Sequence, residues 1–304
     1  MPAQLTGRCL ALAAVTGLAA ALTLAAPTTA AAPNTTDTTD TTDTTDTTAN
    51  TTATQNTNTE PVPGASYKAA HDTLGPQKLT AEQRRLAARK QADAARSYES
   101  QGVSTRSAQA GYVLSGGLHQ SQKTSYWCGP ATLVIAQSAH DEVAGRSQQS
   151  AATLLKTNTN GTAWYGININ VPNPTGYPVA DALNNRLPGA GYVPKALPYT
   201  PTATDKTNFK KHIVHNTGND YAIAGNAWEV PGGPHLVGHP NIEIFHWVAI
   251  DGYNSDTSAG QVNYLEPVGG VSTSVISWAG GVPKSARISS DTITTIMGGR
   301  GYVW

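Results

Sequence analysis

The chain has 304 residues, and its 20 Lys and Arg residues balance its 20 Asp and Glu residues, so the formal net charge is zero. This balance argues against a nucleic-acid-binding protein or one held on anionic lipid, since both need an excess of basic charge. The charged fraction of 13% is low, and the 29 Gly and 19 Pro residues predict long loops or a polar linker. The two cysteines, Cys9 and Cys128, are too few for a disulfide framework or a multi-cysteine zinc module.

The N-terminus predicts an export signal. Arg8 precedes an apolar run over residues 9–26, and small residues follow it near Ala30. This order of charge, apolar run and small residues is typical of a secretory signal peptide. The run just reaches the length of a membrane span, but it is rich in alanine and lacks a basic stop. We therefore expect residues 1–30 to be a signal peptide, and the protein to be secreted without stable membrane insertion.

Two segments separate this signal from the main domain. Residues 31–63 are a Thr/Asp-rich low-complexity sequence, which predicts a solvated linker because it cannot bury a core. Residues 64–110 contain a strong helix signal at 79–98, where Thr80 and Gln83 fit a capping box. Two roles are open for this helical segment: an arm packed on the domain, or a pro-segment that covers a site.

Residues 111–304 predict one α+β domain. All 6 tryptophans lie in this part, and short apolar segments alternate with Gly, Pro and Asn turns. Helices are predicted at 129–143 and 147–156, whereas alternating Ile, Val and aromatic residues predict strands at 241–252 and 261–266. Early helices followed by an antiparallel sheet are typical of the α+β class.

Cys128 is the first candidate for chemistry. Export would remove Cys9, and a lone thiol in an oxidising compartment has no disulfide partner. Cys128 stands directly before a predicted helix with Pro130 in its first turn, so the helix dipole and free N–H groups would stabilise a thiolate. Gln122, six residues upstream, is a candidate donor to a developing oxyanion. The alternative for Cys128 is a small, inert core residue.

His246 is the candidate base that a nucleophilic thiol needs. It lies within a predicted apolar strand, where a histidine without a partner would be costly to bury. Its alternative role is a core histidine satisfied by a neighbour. The other 7 of the 8 histidines have ordinary explanations. Of these, His235 and His239 lie in a Gly/Pro loop without a carboxylate pattern such as HExxH, so no metal site is predicted.

Glu266 is the candidate orienting carboxylate. A hairpin symmetric about Asp256 pairs positions whose numbers add to 512, so His246 would face Glu266 directly. Directly opposed side chains have Cβ atoms about 5 Å apart, and a carboxylate there would hold the imidazole ring. Asp251 is the nearest competitor, but five positions along a strand place it on the other face. A shift of one position would exchange the faces and break the pairing.

The order of these residues carries a resemblance to a known family. Gln122, the run Cys128-Gly-Pro-Ala, the segment from His246 to Gly252-Tyr253 and the pair Glu266-Pro follow one another in this chain. This order resembles the bacteriocin-processing-type (double-glycine leader) peptidase superfamily, and more closely its stand-alone, secreted, papain-like branch. The resemblance covers roughly residues 111–270 by motif.

The resemblance implies a papain-like α+β fold, with the nucleophile at the N-terminus of a helix and the base and acid on an antiparallel sheet. It implies Gln122 as oxyanion donor, Cys128 as nucleophile and His246 as base. Glu266 stands where the family usually has Asp, one methylene shorter. The sequence shows no membrane helices like those of the transporter-fused members, so a double-glycine leader substrate is not carried over.

The sequence thus predicts an exported thiol hydrolase, a cysteine peptidase that cleaves a peptide or protein substrate through a Cys128 acyl-enzyme. No cofactor is required by this chemistry, and cell-wall association stays open. The alternatives are a cell-wall amidase or acyl transferase with the same triad, and a non-catalytic surface binding module. Trp127 and Trp247 flank the nucleophile and the base, so they are candidates for lining a groove, with structural packing as the equal alternative.

Overall fold

A computed structural model describes residues 64–74, 77–104, 111–170 and 176–304. The predicted signal peptide, residues 1–30, and the predicted linker, residues 31–63, lie outside the described residues. The described part forms seven α-helices: α1 (Ala65–His71), α2 (Ala81–Ser104), α3 (Cys128–Asp141), α4 (Gln148–Leu154), α5 (Pro178–Arg186), α6 (Ala203–Thr217) and α7 (Ser290–Ile296). It forms seven strands: β1 (Tyr112–Leu114), β2 (Pro194–Ala196), β3 (Ile223–Glu229), β4 (Ile244–Asn254), β5 (Gln261–Leu265), β6 (Ser285–Ser289) and β7 (Gly301–Val303).

The strands form one antiparallel sheet with the order β2-β7-β3-β4-β5-β6, and β1 pairs with β4 outside this order. Helices pack against it, so the predicted α+β class is confirmed. One group of core side chains includes Val248 and Tyr302, and the other includes Leu133 and Trp247. Because Trp247 and Val248 are consecutive on β4, the two groups lie on opposite faces of the sheet. Within the described ranges, no helix combines the length and apolarity needed to cross a membrane.

Helix α3 lies in the interior and begins at the candidate nucleophile. Its first residue is Cys128, one position before the predicted start, and it ends at Asp141. Pro130 occupies the first turn, where a missing N–H costs no hydrogen bond. Every residue from Cys128 to Ala139 is buried, since this helix packs against β3, β4, α4 and α5. The position of Cys128 is therefore fixed by packing on several sides.

The N-terminal arm, α1 with α2, packs on the domain. The predicted capping box is present: the Gln83 N–H donates to Thr80 Oγ1 at 3.1 Å, and the Thr80 N–H donates to Gln83 Oε1 at 2.9 Å. Helix α2 packs along α6, where His212 Nε2 lies 2.7 Å from Gln91 Oε1. Helix α1 is anchored by the buried Lys68, whose ammonium group donates to three backbone carbonyls at the end of α7. These contacts hold the arm against α6 and α7.

The β4–β5 hairpin differs from the predicted one in its register. Ile250 pairs with Tyr264, so the numbers of paired residues add to 514 in this part of the hairpin instead of 512. The prediction that His246 faces Glu266 directly is therefore wrong by two positions. A shift of two keeps both side chains on one face of the sheet, and it makes Glu266 a diagonal neighbour of His246.

The turn explains the shift. Strand β4 continues to Asn254, and a 3-10 turn follows at Ser255–Thr257. Ser258 and Ala259 then adopt left-handed backbone with φ of 50° and 59°. These two residues extend the C-terminal side of the turn, so its centre lies beyond Asp256. Next to the turn the paired numbers add to 515, as for Tyr253 and Val262, and a bulge between Ile250 and Gly252 brings the sum to 514 on the side of the site.

Candidate active site

The cleft at the start of α3 contains the candidate nucleophile. Cys128 is 8% exposed and lines a cleft with a volume of about 190 Å³. Trp127, the residue before the helix, makes no side-chain capping hydrogen bond. The leading N–H groups of α3 therefore remain available to a group in the cleft, and the helix dipole favours negative charge there.

His246 joins Cys128 to Glu266. The His246 ring nitrogen Nε2 lies 2.6 Å from Glu266 Oε1, and both side chains are buried. Cys128 and His246 line the same cleft, and the Cys128 sulfur acts to raise the pKa of this imidazole. Because Nε2 faces Glu266, Nδ1 is the ring nitrogen left for the sulfur. The structure thus brings together the thiol, the imidazole and the carboxylate that the sequence selected, while Asp251 accepts a hydrogen bond from Asn263 instead.

The charges of the pair reinforce each other. Burial disfavours the imidazolium, but the Glu266 carboxylate and the Cys128 sulfur outweigh it and raise the pKa of His246 well above its usual range. Burial likewise opposes the Glu266 carboxylate, yet His246 and His239 lower the pKa of Glu266 to about 2. An imidazolium beside a carboxylate and a sulfur is therefore the favoured state at neutral pH.

Gln122 lines the same cleft. Its side-chain amide donates to Thr124 O at 2.7 Å, and its buried Oε1 has no hydrogen-bond partner among the described residues. The amide group has a second N–H, which can donate to a group in the cleft. The Gln122 backbone N–H donates to Pro267 O at 2.7 Å, so this candidate donor is tied to the residue that follows Glu266.

Other residues that sequence reasoning did not select hold these groups in place. The Val268 N–H donates to Glu266 Oε1 at 2.9 Å, and His119 Nε2 donates to the Glu266 carbonyl at 2.8 Å. Gln148, at the start of α4, donates to Ser121 O and accepts from the Lys123 backbone N–H, which fixes the segment before Cys128. Such contacts join positions far apart in the chain, so no local sequence pattern predicts them.

The cleft has one polar and one apolar wall. The polar wall includes Ser125, Tyr126, Thr159, Asn160 and Gly161. The apolar wall consists of Ile244, Phe245, Val268, Ile276 and Trp278. Neither wall contains a carboxylate, an ammonium or a guanidinium group. Two larger cavities of the described residues, of about 450 and 380 Å³, contain neither a thiol nor an imidazole, whereas the small cleft contains both.

The two candidate groove-lining tryptophans are not among the residues that line this cleft. Trp247 is 1% exposed, packs against Trp164 and donates from its indole N–H to Thr162 O at 3.0 Å. Trp127 packs edge-on against Tyr126, which does line the cleft. The aromatic side chains that line the cleft are instead Tyr126, Phe245 and Trp278.

One cluster of the described residues has the composition of a metal site. His239, His246 and Glu266 each offer one ligand atom, and these atoms lie within 4.8 Å of one another. Two ligands of one tetrahedral zinc, each about 2.1 Å from the ion, stand roughly 3.4 Å apart. The 2.6 Å between His246 Nε2 and Glu266 Oε1 is a hydrogen-bond distance and leaves no room for an ion between them. His246 and Glu266 therefore form a hydrogen-bonded pair, and His239 Nε2 lies 3.5 Å from the same carboxylate.

Comparisons with known proteins add no family assignment. No family model, curated protein or solved structure matches the chain. The functional conclusion therefore depends on the residues at the cleft and on their geometry.

Proposed function

We propose that the protein is an exported thiol hydrolase, a papain-like cysteine peptidase of the bacteriocin-processing type. The observation that carries this proposal is that Cys128 and His246 line one cleft, with the Glu266 carboxylate hydrogen-bonded to the His246 ring. A buried cysteine without a chemical role needs neither an imidazole at its sulfur nor a carboxylate on the far side of that imidazole. The uncapped helix start at Cys128 adds stabilisation for a thiolate.

The mechanism follows from the positions of these groups. The Cys128 thiolate attacks the carbonyl carbon of a peptide bond, and the Cys128 N–H and the Gln122 amide bind the resulting oxyanion. The His246 imidazolium gives its proton to the leaving amine, which departs as the thioester forms. His246, now neutral, removes a proton from water, and the water oxygen attacks the thioester. Collapse of that intermediate releases the acid, and the proton on His246 restores the original pair. Glu266 keeps the ring aligned throughout.

The two walls of the cleft favour a peptide as substrate. The polar residues Thr159, Asn160 and Gly161 can pair with the backbone of an extended chain, while Phe245 and Trp278 offer surface to an apolar side chain. Apart from Cys128 and His246, the residues that line the cleft carry no charge that could select an ionic group of a substrate. A peptide with an apolar residue next to the cleaved bond is therefore the substrate class we propose.

Action outside the cell is part of the proposal. The support is the charge, apolar run and small-residue order over residues 1–30, followed by the low-complexity linker. N-terminal sequencing of the exported protein tests it, since a mature chain that begins with Met1 would contradict signal cleavage.

The decisive experiment is the pH dependence of Cys128 alkylation by iodoacetamide. Wild type should react fast at pH 5–6, because the imidazolium stabilises the thiolate, and His246→Ala should abolish this reaction. Glu266→Ala should cause a smaller loss. His140→Ala is the matched control, because His140 lies at the far end of the same helix, exposed, and stacks on Tyr221. Its labelling should equal that of wild type.

Three outcomes separate the functions. Fast labelling together with hydrolysis of peptides carrying an apolar residue supports the peptidase. Fast labelling with release of fragments from peptidoglycan, but none from peptides, assigns the same triad to a cell-wall amidase. Labelling that rises only near pH 8.5 in all variants, as for a free cysteine, refutes the catalytic proposal and favours a binding module.

A further inference from the structure

A second histidine, His239, lies against the carboxylate that contacts His246. Its Nε2 is 3.5 Å from Glu266 Oε2, on the opposite side of the carboxylate from the 2.6 Å contact with His246. The side chains of His239 and Glu266 have no exposed surface. Neither His239 Nε2 nor Glu266 Oε2 has a hydrogen-bond partner among the described residues, so the ion-pair contact between them is what each of these atoms has. Buried polar atoms of this kind are costly unless they compensate each other.

The other side of the His239 ring faces a second buried carboxylate. His239 Nδ1 lies 2.8 Å from Glu229 Oε1, and the Glu229 side chain has no exposed surface either. Both ring nitrogens of His239 therefore face carboxylate oxygens, which accept hydrogen bonds and cannot donate when ionised. A neutral imidazole carries one N–H and would leave one of these contacts without a proton. The geometry thus favours the doubly protonated imidazolium at His239.

The charges of the catalytic pair provide an independent reason. In the thiolate–imidazolium state, Cys128 and Glu266 are two anions beside a single cation, His246. A buried anion without a counter-charge is strongly unfavourable, so a second cation is needed near them. His239 stands 3.5 Å from Glu266 and supplies that charge when protonated.

We propose that His239 is a positioning residue, a protonated bridge between Glu229 and Glu266 that holds the Glu266 carboxylate on His246 and sustains the thiolate–imidazolium pair. The effect of His239 on Cys128 rests on the proposed function. The protonated state of His239 is independent of that function and can be measured separately.

The ionisable groups that face His239 come from several elements. They are Glu229 on β3, His246 on β4, Glu266 directly after β5, and His235 on its own loop, which contacts Glu229, while Lys68 of α1 acts on Glu229. Burial lowers the pKa of His239, but its contacts with the Glu229 and Glu266 carboxylates outweigh burial and the charge of His246, so its pKa is raised. The bridge is therefore complete below pH 6.5 and is lost as the pH rises through the raised pKa.

The first test is the ¹⁵N NMR spectrum of the histidine rings in the full chain. Wild-type His239 should show two protonated ring nitrogens at pH 7. Glu229→Gln, which keeps the volume and removes the charge, should convert His239 to the neutral form at that pH. A neutral His239 in wild type at pH 7 would overturn the bridge, whatever the catalytic result.

The second test is the rate of Cys128 alkylation at pH 6. In His239→Asn the side chain is too short to reach Glu266, so the alkylation rate should fall about 10-fold to 100-fold. This is the range for the loss of one hydrogen bond to a charged group. His239→Gln retains a donor near Nε2 and should recover part of that loss. His140→Gln is the matched control, because His140 is exposed at the far end of α3 and stacks on Tyr221, and its rate should equal that of wild type. The far-ultraviolet circular dichroism of each variant should match that of wild type.

The two proposals fail differently. If wild-type Cys128 reacts only as a free cysteine, the proposed function fails, and the NMR spectrum alone decides whether His239 is the bridge. If wild-type Cys128 is activated and His239→Asn reacts at the same rate, the thiol hydrolase stands and the positioning role of His239 is refuted.

Discussion

Replacement of Glu266 by Gln should remove a pH-dependent contribution to stability. The pKa of this buried carboxyl is lowered from 4.5 to about 2, because His246 and His239 together outweigh the effect of burial. At about 1.4 kcal/mol per pKa unit, the shift corresponds to about 3 kcal/mol. Since the pKa of the folded state lies below that of the unfolded state, this stability is present above pH 4.5 and is lost as the pH falls toward 2.

The titration of His246 narrows the pH range in which the His246–Glu266 pair stabilises the folded state. Because the pKa of His246 is raised, its contribution is complete below pH 6.5 and is lost as the pH rises through the raised value. The pair as a whole therefore contributes fully between about pH 4.5 and 6.5. Glu266→Gln should cost about 3 kcal/mol in this window, in line with the loss expected when one partner of a buried ion pair is removed.

A matched control with the opposite sign lies on the same hairpin. Burial raises the pKa of Asp251 from 3.8 to about 6, although Asn263 donates a hydrogen bond to it. The free energy of unfolding of wild type therefore falls by about 3 kcal/mol as the pH rises from 3.8 to 6, since the folded state holds the Asp251 proton more tightly than the unfolded state does. Asp251→Asn keeps an acceptor for Asn263 and should gain stability relative to wild type above pH 6.

Urea denaturation from pH 3 to pH 8, followed by tryptophan fluorescence, measures both variants. The deficit of Glu266→Gln should be largest near pH 5–6 and should shrink toward pH 3, whereas the advantage of Asp251→Asn should appear only above pH 5. A deficit of Glu266→Gln that is the same at pH 3 and pH 6 would refute the reasoning. The reasoning would also fail if Glu266→Gln and Asp251→Asn differed from wild type in stability with the same sign and the same pH dependence.

Two further substitutions test the role of Gln122 as oxyanion donor and the role of Lys68 in anchoring the N-terminal arm. Gln122→Ala should lower kcat about 100-fold to 1000-fold in peptide hydrolysis while Cys128 alkylation is retained, because alkylation forms no oxyanion; equal loss in both assays would contradict this role. Lys68→Met should lower the free energy of unfolding in urea by about 2 kcal/mol, because it removes the buried donor to three backbone carbonyls at the end of α7. Cys128 labelling should not change in Lys68→Met, since no described arm residue lines the cleft, and a clear increase would indicate that the arm restricts access to it.

Local signals in the sequence were sufficient for three of the seven described helices, namely α2, α3 and α4. The capping box at Thr80 and Gln83 marks the start of α2, and Pro130 marks the first turn of α3, because both act within one turn of the chain. The positions of Cys128 and His246 on a helix start and an apolar strand followed from the same kind of signal. These features depend on neighbours a few residues apart, which a sequence pattern records directly.

Contacts between distant residues were not predictable in this way. His119 donates to the Glu266 carbonyl across 147 positions, and His239 reaches the Glu266 side chain from a Gly/Pro loop. The spacing of His235 and His239 was visible, but it suggested only a metal motif, because their partner Glu229 comes from a strand that the sequence did not reveal. Which side chain meets which carboxylate is decided by the packing of loops on the sheet, not by local spacing.

The observed register also accounts for the glutamate at position 266. Extended along the hairpin, a sum of 514 places Glu266 opposite Val248, so His246 is two positions further along β4. A diagonal pair of this kind has Cβ atoms about 7 Å apart, compared with about 5 Å for a direct pair. A direct pair suits a short carboxylate, whereas the diagonal separation requires the additional methylene of glutamate to bring Oε1 within 2.6 Å of the ring. The predicted contact survives a wrong register because the shift is even, which preserves the face, and because the side chain is long enough to span the extra distance.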